Sequence, residues 1–73
     1  MANDRPIVIY PPGEDGGRRV RGGARFLGMA YGMLDVVELL RLAGLESVDD
    51  DWLRRSATVE WRGGGPDVWS AHG

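Results

Sequence analysis

Residues 6–10, Pro-Ile-Val-Ile-Tyr, are apolar without interruption, and Pro11-Pro12-Gly13 ends the run. β-Branched and aromatic side chains at successive positions place apolar groups on both faces of a strand. The pattern therefore predicts a central strand, or one covered on both sides. Residues 13–17, Gly-Glu-Asp-Gly-Gly, read as a flexible loop. Beyond it Arg18-Arg19-Val20-Arg21 and Ala24-Arg25-Phe26-Leu27 flank Gly22-Gly23. Two short runs split by such a pair predict a hairpin with a type I′ turn at the glycines. Its second arm runs on towards Tyr31, with Gly28 marking a bulge or a close backbone approach. A single irregular strand over 18–30 is the alternative.

The periodicity then lengthens. Met33, Val36, Val37, Leu40 and Ala43 fall on one side at 100° per residue, and Asp35, Glu38 and Arg41 form a narrow polar stripe. A helix over about 35–43 is predicted, with a start as early as Gly32 allowed. Asp35 is its cap, accepting from the Glu38 N–H, and Leu34 and Leu39 form the hydrophobic staple. Gly44 suits the left-handed position after the last turn, with Leu45 returning to Leu40. Glu38 and Arg41 are spaced for an i,i+3 ion pair. Leu39 and Leu42 lie beside the polar stripe, outside the core arc. A helix wetted on so narrow a stripe is buried on most sides, so either loops of the same chain or a partner must cover these two leucines.

Asp49-Asp50-Asp51-Trp52-Leu53-Arg54-Arg55 has acids first and arginines last, the order that complements the dipole of a short helical turn. Residues 57–62 alternate as a half-buried strand, Val59 and Trp61 inward and Thr58, Glu60 and Arg62 outward. Gly63-Gly64-Gly65-Pro66 breaks regular structure, after which Val68 and Trp69 can fold back on the sheet. These elements predict a small α+β domain over residues 1–73: a mainly antiparallel sheet of three to four strands in β-hairpin-α-β order, with one capped helix on one face. The ends, about 1–4 and 70–73, are expected to fray.

Composition narrows the chemistry. With 73 residues and no cysteine there is no disulfide framework and no thiolate ligand or nucleophile. No apolar stretch reaches the length of a membrane span, and the first residues lack the layout of a signal peptide. The expectation is a cytoplasmic protein. The single histidine, His72, is penultimate on a tail expected to fray, so no histidine-based triad is supported. The three aspartates at 49–51 lack the spacing of a calcium loop and read as helix-start acids. The P-loop lysine and a helix-opening Gly-x-Gly-x-x-Gly are both missing. No catalytic residue, metal or cofactor is assigned, and a chain this short is expected to build no pocket of useful size and to take no small-molecule substrate.

Charge is segregated. All nine basic residues are arginine; Arg18, Arg19, Arg21 and Arg25 crowd into one short stretch, and the segment that follows, 26–51, is acidic. Two functions follow from this pattern. The first is a non-enzymatic protein-interaction module, homo-oligomeric or a subunit of a larger assembly, with Leu39, Leu42, Trp52 and Trp69 as candidate contacts. Each of the two tryptophans is otherwise a plug in the chain's own core. The alternative is a nucleic-acid-binding regulator using Arg18, Arg19, Arg21 and Arg25, with Phe26 and Tyr31 nearby. Arg-Gly-Gly recurs at 21–23 and 62–64, while a net charge of −2 argues against a basic footprint.

Three segments carry a resemblance: Arg-Pro-Ile-Val-Ile-Tyr-Pro-Pro (5–12), Gly-Met-Ala-Tyr-Gly (28–32) and Glu-Trp-Arg-Gly-Gly-Gly-Pro-Asp-Val-Trp (60–69). In these the chain resembles a group of short uncharacterised actinobacterial proteins. The arginine-only, glycine-rich composition fits a GC-rich genome, and the resemblance implies no activity, cofactor or site.

Overall fold

The apolar run at the start forms β1 (Ile7–Ile9), and its side chains are buried on both faces as a central strand requires. It pairs antiparallel with β2 (Arg18–Gly22), which pairs antiparallel with β3 (Arg25–Ala30). On its other side β1 pairs with β4 (Val59–Trp61), giving the order β3-β2-β1-β4. That last pairing is parallel, so the sheet is mixed. Two helices, α1 (Met33–Leu42) and α2 (Asp50–Arg55), complete an α+β fold. The computed structural model describes residues 7–70. Pro6, His72 and the fraying expected at 1–4 and, within 70–73, at 71–73 lie outside the described residues.

Register decides what each face of the sheet carries. Ile7, Ile9, Val20, Ala30 and Val59 face the helices and join Val36, Val37, Leu40, Val48 and Leu53 in one core. The hairpin turn is one residue later than the glycine pair suggested: Gly22 still pairs with Arg25, and Gly23, at φ 61°, opens a two-residue turn with Ala24. A bulge between Val20 and Arg21 gives β3 one extra residue, Leu27, and both Leu27 and Arg25 end on the helix side. Gly28 is the close approach: at φ 149°, a Cβ there would come 2.8 Å from Leu39 Cδ2 of α1.

Helix α1 takes the early start allowed near Gly32, and its cap differs from the sequence reading. Gly32 is the N-cap and makes no side-chain cap bond; Asp35 sits inside the first turn and accepts from the Tyr31 N–H at 2.8 Å. The glycine offers no side-chain oxygen, so the acid reaches back instead. Leu34 is therefore on the first turn and 75% exposed, leaving no staple onto Leu39. The expected Glu38–Arg41 pair is absent among the described residues, because Arg41 donates to the Val48 carbonyl at 3.1 Å and holds the inter-helix loop. The far end follows expectation: Gly44 has φ 107° and the Leu45 N–H donates to the Leu40 carbonyl at 3.0 Å. In α2, Asp49 caps by accepting from the Trp52 N–H at 2.8 Å, with Asp50 and Asp51 in the first turn and Arg54 and Arg55 in the last.

The glycine-rich segment after β4 is fixed by one buried side chain. Arg18 shares a face with Val20, and its guanidinium lies between the Trp61 and Trp69 rings, 5.3 and 5.4 Å from their centroids. All five N–H groups donate to main-chain carbonyls: Nε to Tyr10 (2.8 Å), Nη1 to Gly65 and Val68 (2.8 and 2.7 Å), Nη2 to Arg62 and Gly64 (2.9 and 2.8 Å). Trp69 in turn donates from Nε1 to the Pro66 carbonyl at 2.7 Å, and Arg54 grips Asp67 at 2.8 and 3.2 Å.

Several exposed pairs tie loops down with a defined pH dependence. Asp15 is held below the ordinary carboxylate range by the Gly17 N–H and the Tyr31 hydroxyl, Asp67 by Arg54, and Glu60 by Arg62. Depressed acids contribute stability that is present above their unfolded pKa, about 4, and lost as pH falls through the folded values. Tyr31 is raised by Asp15, so its contribution is present below about pH 10 and lost above it. Urea midpoints should be flat across neutral pH and fall at both ends, by little, since all four contacts are solvent-screened. A midpoint that rises on acidification would contradict these assignments.

Candidate nucleic-acid interface

The four arginines of the hairpin do not form one surface. Strand alternation turns Arg18 inward, where its five bonds leave it nothing to offer a ligand. Burial strips water from its guanidinium and lowers its pKa from the ordinary arginine value, without a carboxylate to offset it. Arg25 pairs with Gly22 and is on the helix side. Only Arg19 and Arg21 point to the open face, which neither helix covers.

There a residue from the other edge joins them. The guanidinium carbons of Arg19, Arg21 and Arg62 lie 5.9, 5.6 and 5.3 Å from the centroid of the Tyr10 ring. Tyr10 continues β1 and is held beside β2 by its N–H, which donates to the Arg19 carbonyl at 2.9 Å. Arg62 is placed by its own N–H to the Ile9 carbonyl, also 2.9 Å. Beneath this layer Val8 lies between Arg21 and Glu60 and is almost wholly buried. Phe26, opposite Arg21, and Met29, opposite Arg19, extend the face across β3; Phe26 is 59% exposed.

The charge on this face is unbalanced. Glu60 takes Arg62 Nε at 2.7 Å, while Arg19 and Arg21 have no carboxylate within ion-pair distance among the described residues. Arg21 Nε is buried and has no acceptor among them. A buried donor without a partner is uncommon and loses the solvation it had in water. Three planar cations around one ring, with an exposed second ring alongside, suit phosphate oxygens and stacked bases.

The interface candidates of the helices separate in the same way. Leu39 is half-buried against Gly28, and Trp52 and Trp69 pack on the core, Trp69 as one wall of the Arg18 site. Leu42 alone projects into solvent, 85% exposed, with Leu34 on the same helix. Tyr31, expected beside the arginines, instead donates from its hydroxyl to Asp15 at 3.0 Å. Tyr10 and Arg62 were missed by a reading that sought the site within one hairpin. Alternation had already turned Arg62 outward; only the parallel pairing of β4 with β1 brings it to Arg19 and Arg21.

The fold and this face define a small α+β protein with an open, arginine-lined sheet surface. No family model matches the chain, and no curated protein or solved structure matches it either. No described helix is long and apolar enough to cross a membrane.

Proposed function

We propose that this is a non-enzymatic binding module that holds single-stranded nucleic acid on the open face of its sheet. The observation that carries the reading is the convergence of Arg19, Arg21 and Arg62 on Tyr10, with one carboxylate among them and Phe26 exposed beside them. The arginines take the phosphates and Phe26 offers a ring for a base to stack on. A cytoplasmic location goes with this reading, since such strands are found there. Anisotropy of a short labelled single strand tests it. Three neutralised phosphates give a log–log salt slope of about −2, roughly a 20-fold loss between about 50 and 200 mM salt. Arg19→Ala with Arg21→Ala should weaken binding at least about tenfold and flatten the slope, and Phe26→Ala should weaken it without changing the slope. Arg25→Gln, on the other side of the sheet, should leave affinity unchanged. Equal losses from Arg25→Gln and Arg21→Ala would remove this face as the site.

A second reading, a protein-interaction module that associates with itself or another subunit, is favoured by Leu42 and Leu34, both large, apolar and exposed on α1. Each leucine offers an apolar contact to another surface, one on either side of the exposed Glu38. Sedimentation equilibrium should then show association that Leu34→Glu with Leu42→Glu abolishes without unfolding. A monomer at every concentration rules self-association out.

A further inference from the structure

Between the hairpin turn, the end of α1 and α2 lies an open groove of about 420 Å³, within the size range of small-molecule sites and contrary to the expectation for so short a chain. Its walls are Ile7, Leu27, Leu40, Leu45 and the Trp52 ring, with Thr58 at one side. Arg25 stands at its rim, exposed and free of ion pairs and hydrogen bonds among the described residues. The groove is thus apolar within and carries one unpaired planar cation at its edge. It lies on the helix side of the sheet, away from Tyr10, Arg19 and Arg21, and is independent of the reading given above.

We propose that this groove binds a small apolar monoacid, its hydrocarbon or aromatic body against Leu27, Leu40 and Trp52 and its carboxylate on the Arg25 guanidinium. The argument is complementarity of both kinds. Apolar walls remove an apolar body from water, and a planar fork with no other acceptor matches a carboxylate in a two-point contact. A neutral or cationic analogue of the same shape keeps the first contribution and loses the second. Leu42 does not line this groove, although the neighbouring surface it does line shares Arg25, Leu27 and Ala43 with it.

The test is an NMR titration with indole-3-acetate, tryptophol and tryptamine, which share a ring and differ in charge. The three indole N–H signals are built-in reporters: Trp52 lines the groove, while Trp61 and Trp69 enclose Arg18 elsewhere. The expected result is saturable movement of the Trp52 signal and the Thr58 and Leu45 amides, with Trp61 and Trp69 still. The acid should bind at least about fivefold more tightly than tryptophol, a modest ratio because the arginine is solvent-exposed. Arg25→Gln should reduce the acid to the tryptophol level and leave tryptophol unchanged. Ala43→Phe, which fills the groove from an exposed position, should abolish binding of all three while amide dispersion is kept. Equal binding of acid and alcohol, undiminished binding to Arg25→Gln, movement centred on Trp61 and Trp69, or no saturation would each overturn the proposal.

Discussion

Replacing Arg18 with methionine is expected to remove roughly 3–5 kcal/mol of stability, about half of the mid-range of the about 4–11 kcal/mol that a domain of this length has at typical values per residue. Methionine has a similar reach and no donors, so it takes away every bond to the carbonyls of Tyr10, Arg62, Gly64, Gly65 and Val68 at once. Exchanging a buried ion pair for apolar groups can be neutral because both charges go; here the acceptors are main chain and stay behind. Water can reach some of them if the segment lifts, which keeps the loss below the sum of five bonds. Arg18→Lys is expected to recover only part, since three donors on a point charge cannot serve five acceptors spread around a plane. Urea unfolding followed by tryptophan fluorescence checks both. The Trp69 indole signal should also move towards its solvent value in Arg18→Met before the rest of the domain melts. An unchanged midpoint would mean that the glycine-rich segment holds itself.

This residue also marks where the sequence stops being legible. Strand β1, the left-handed end of α1, the acids-first, arginines-last order of α2 and the alternation of β4 are each set by residues within a few positions, and each is recognisable without a structure. The place of Arg18 depends on carbonyls 44 to 50 residues away and on two tryptophans from different segments. A signal was nevertheless present. Once Val20 is taken as inward, alternation sends Arg18 in and Arg19 and Arg21 out. Arg25 could not be assigned that way, because the bulge at Leu27 breaks the period between the two arms. The convergence on Tyr10 was hidden for a related reason: no local pattern says that β4 runs parallel to β1, and that pairing alone brings Arg62 across. The cap of α1 was misplaced because Asp35 has the same preferred partners, a free N–H at a helix start, whether it is the cap or lies inside the first turn.

Gly28→Ala should cost about 1–3 kcal/mol, by two separable routes. The backbone is at φ 149°, where an L side chain is strained, and the new methyl would lie 2.8 Å from Leu39 Cδ2. Gly44→Ala gives the first contribution alone, since φ is 107° and nothing lies within 4 Å of the added carbon; a loss of about 1 kcal/mol is expected there. Leu39→Ala removes the obstacle, so a double-mutant cycle between positions 28 and 39 should return a coupling of roughly 1 kcal/mol that relieves the second substitution. Additivity would mean that Leu39 moves aside freely and that α1 is not seated on β3 by this contact. The seating matters beyond stability. Leu39 turned towards β3 leaves Leu42 outward and presents Leu40 and Ala43 to the groove. A helix pushed off Gly28 would alter both surfaces while leaving Tyr10 and its three arginines, on the far side of the sheet, in place. Gly28→Ala should therefore weaken indole-3-acetate binding at temperatures where the domain is still folded, and leave unchanged the salt slope of single-stranded nucleic-acid binding, which the arginines set.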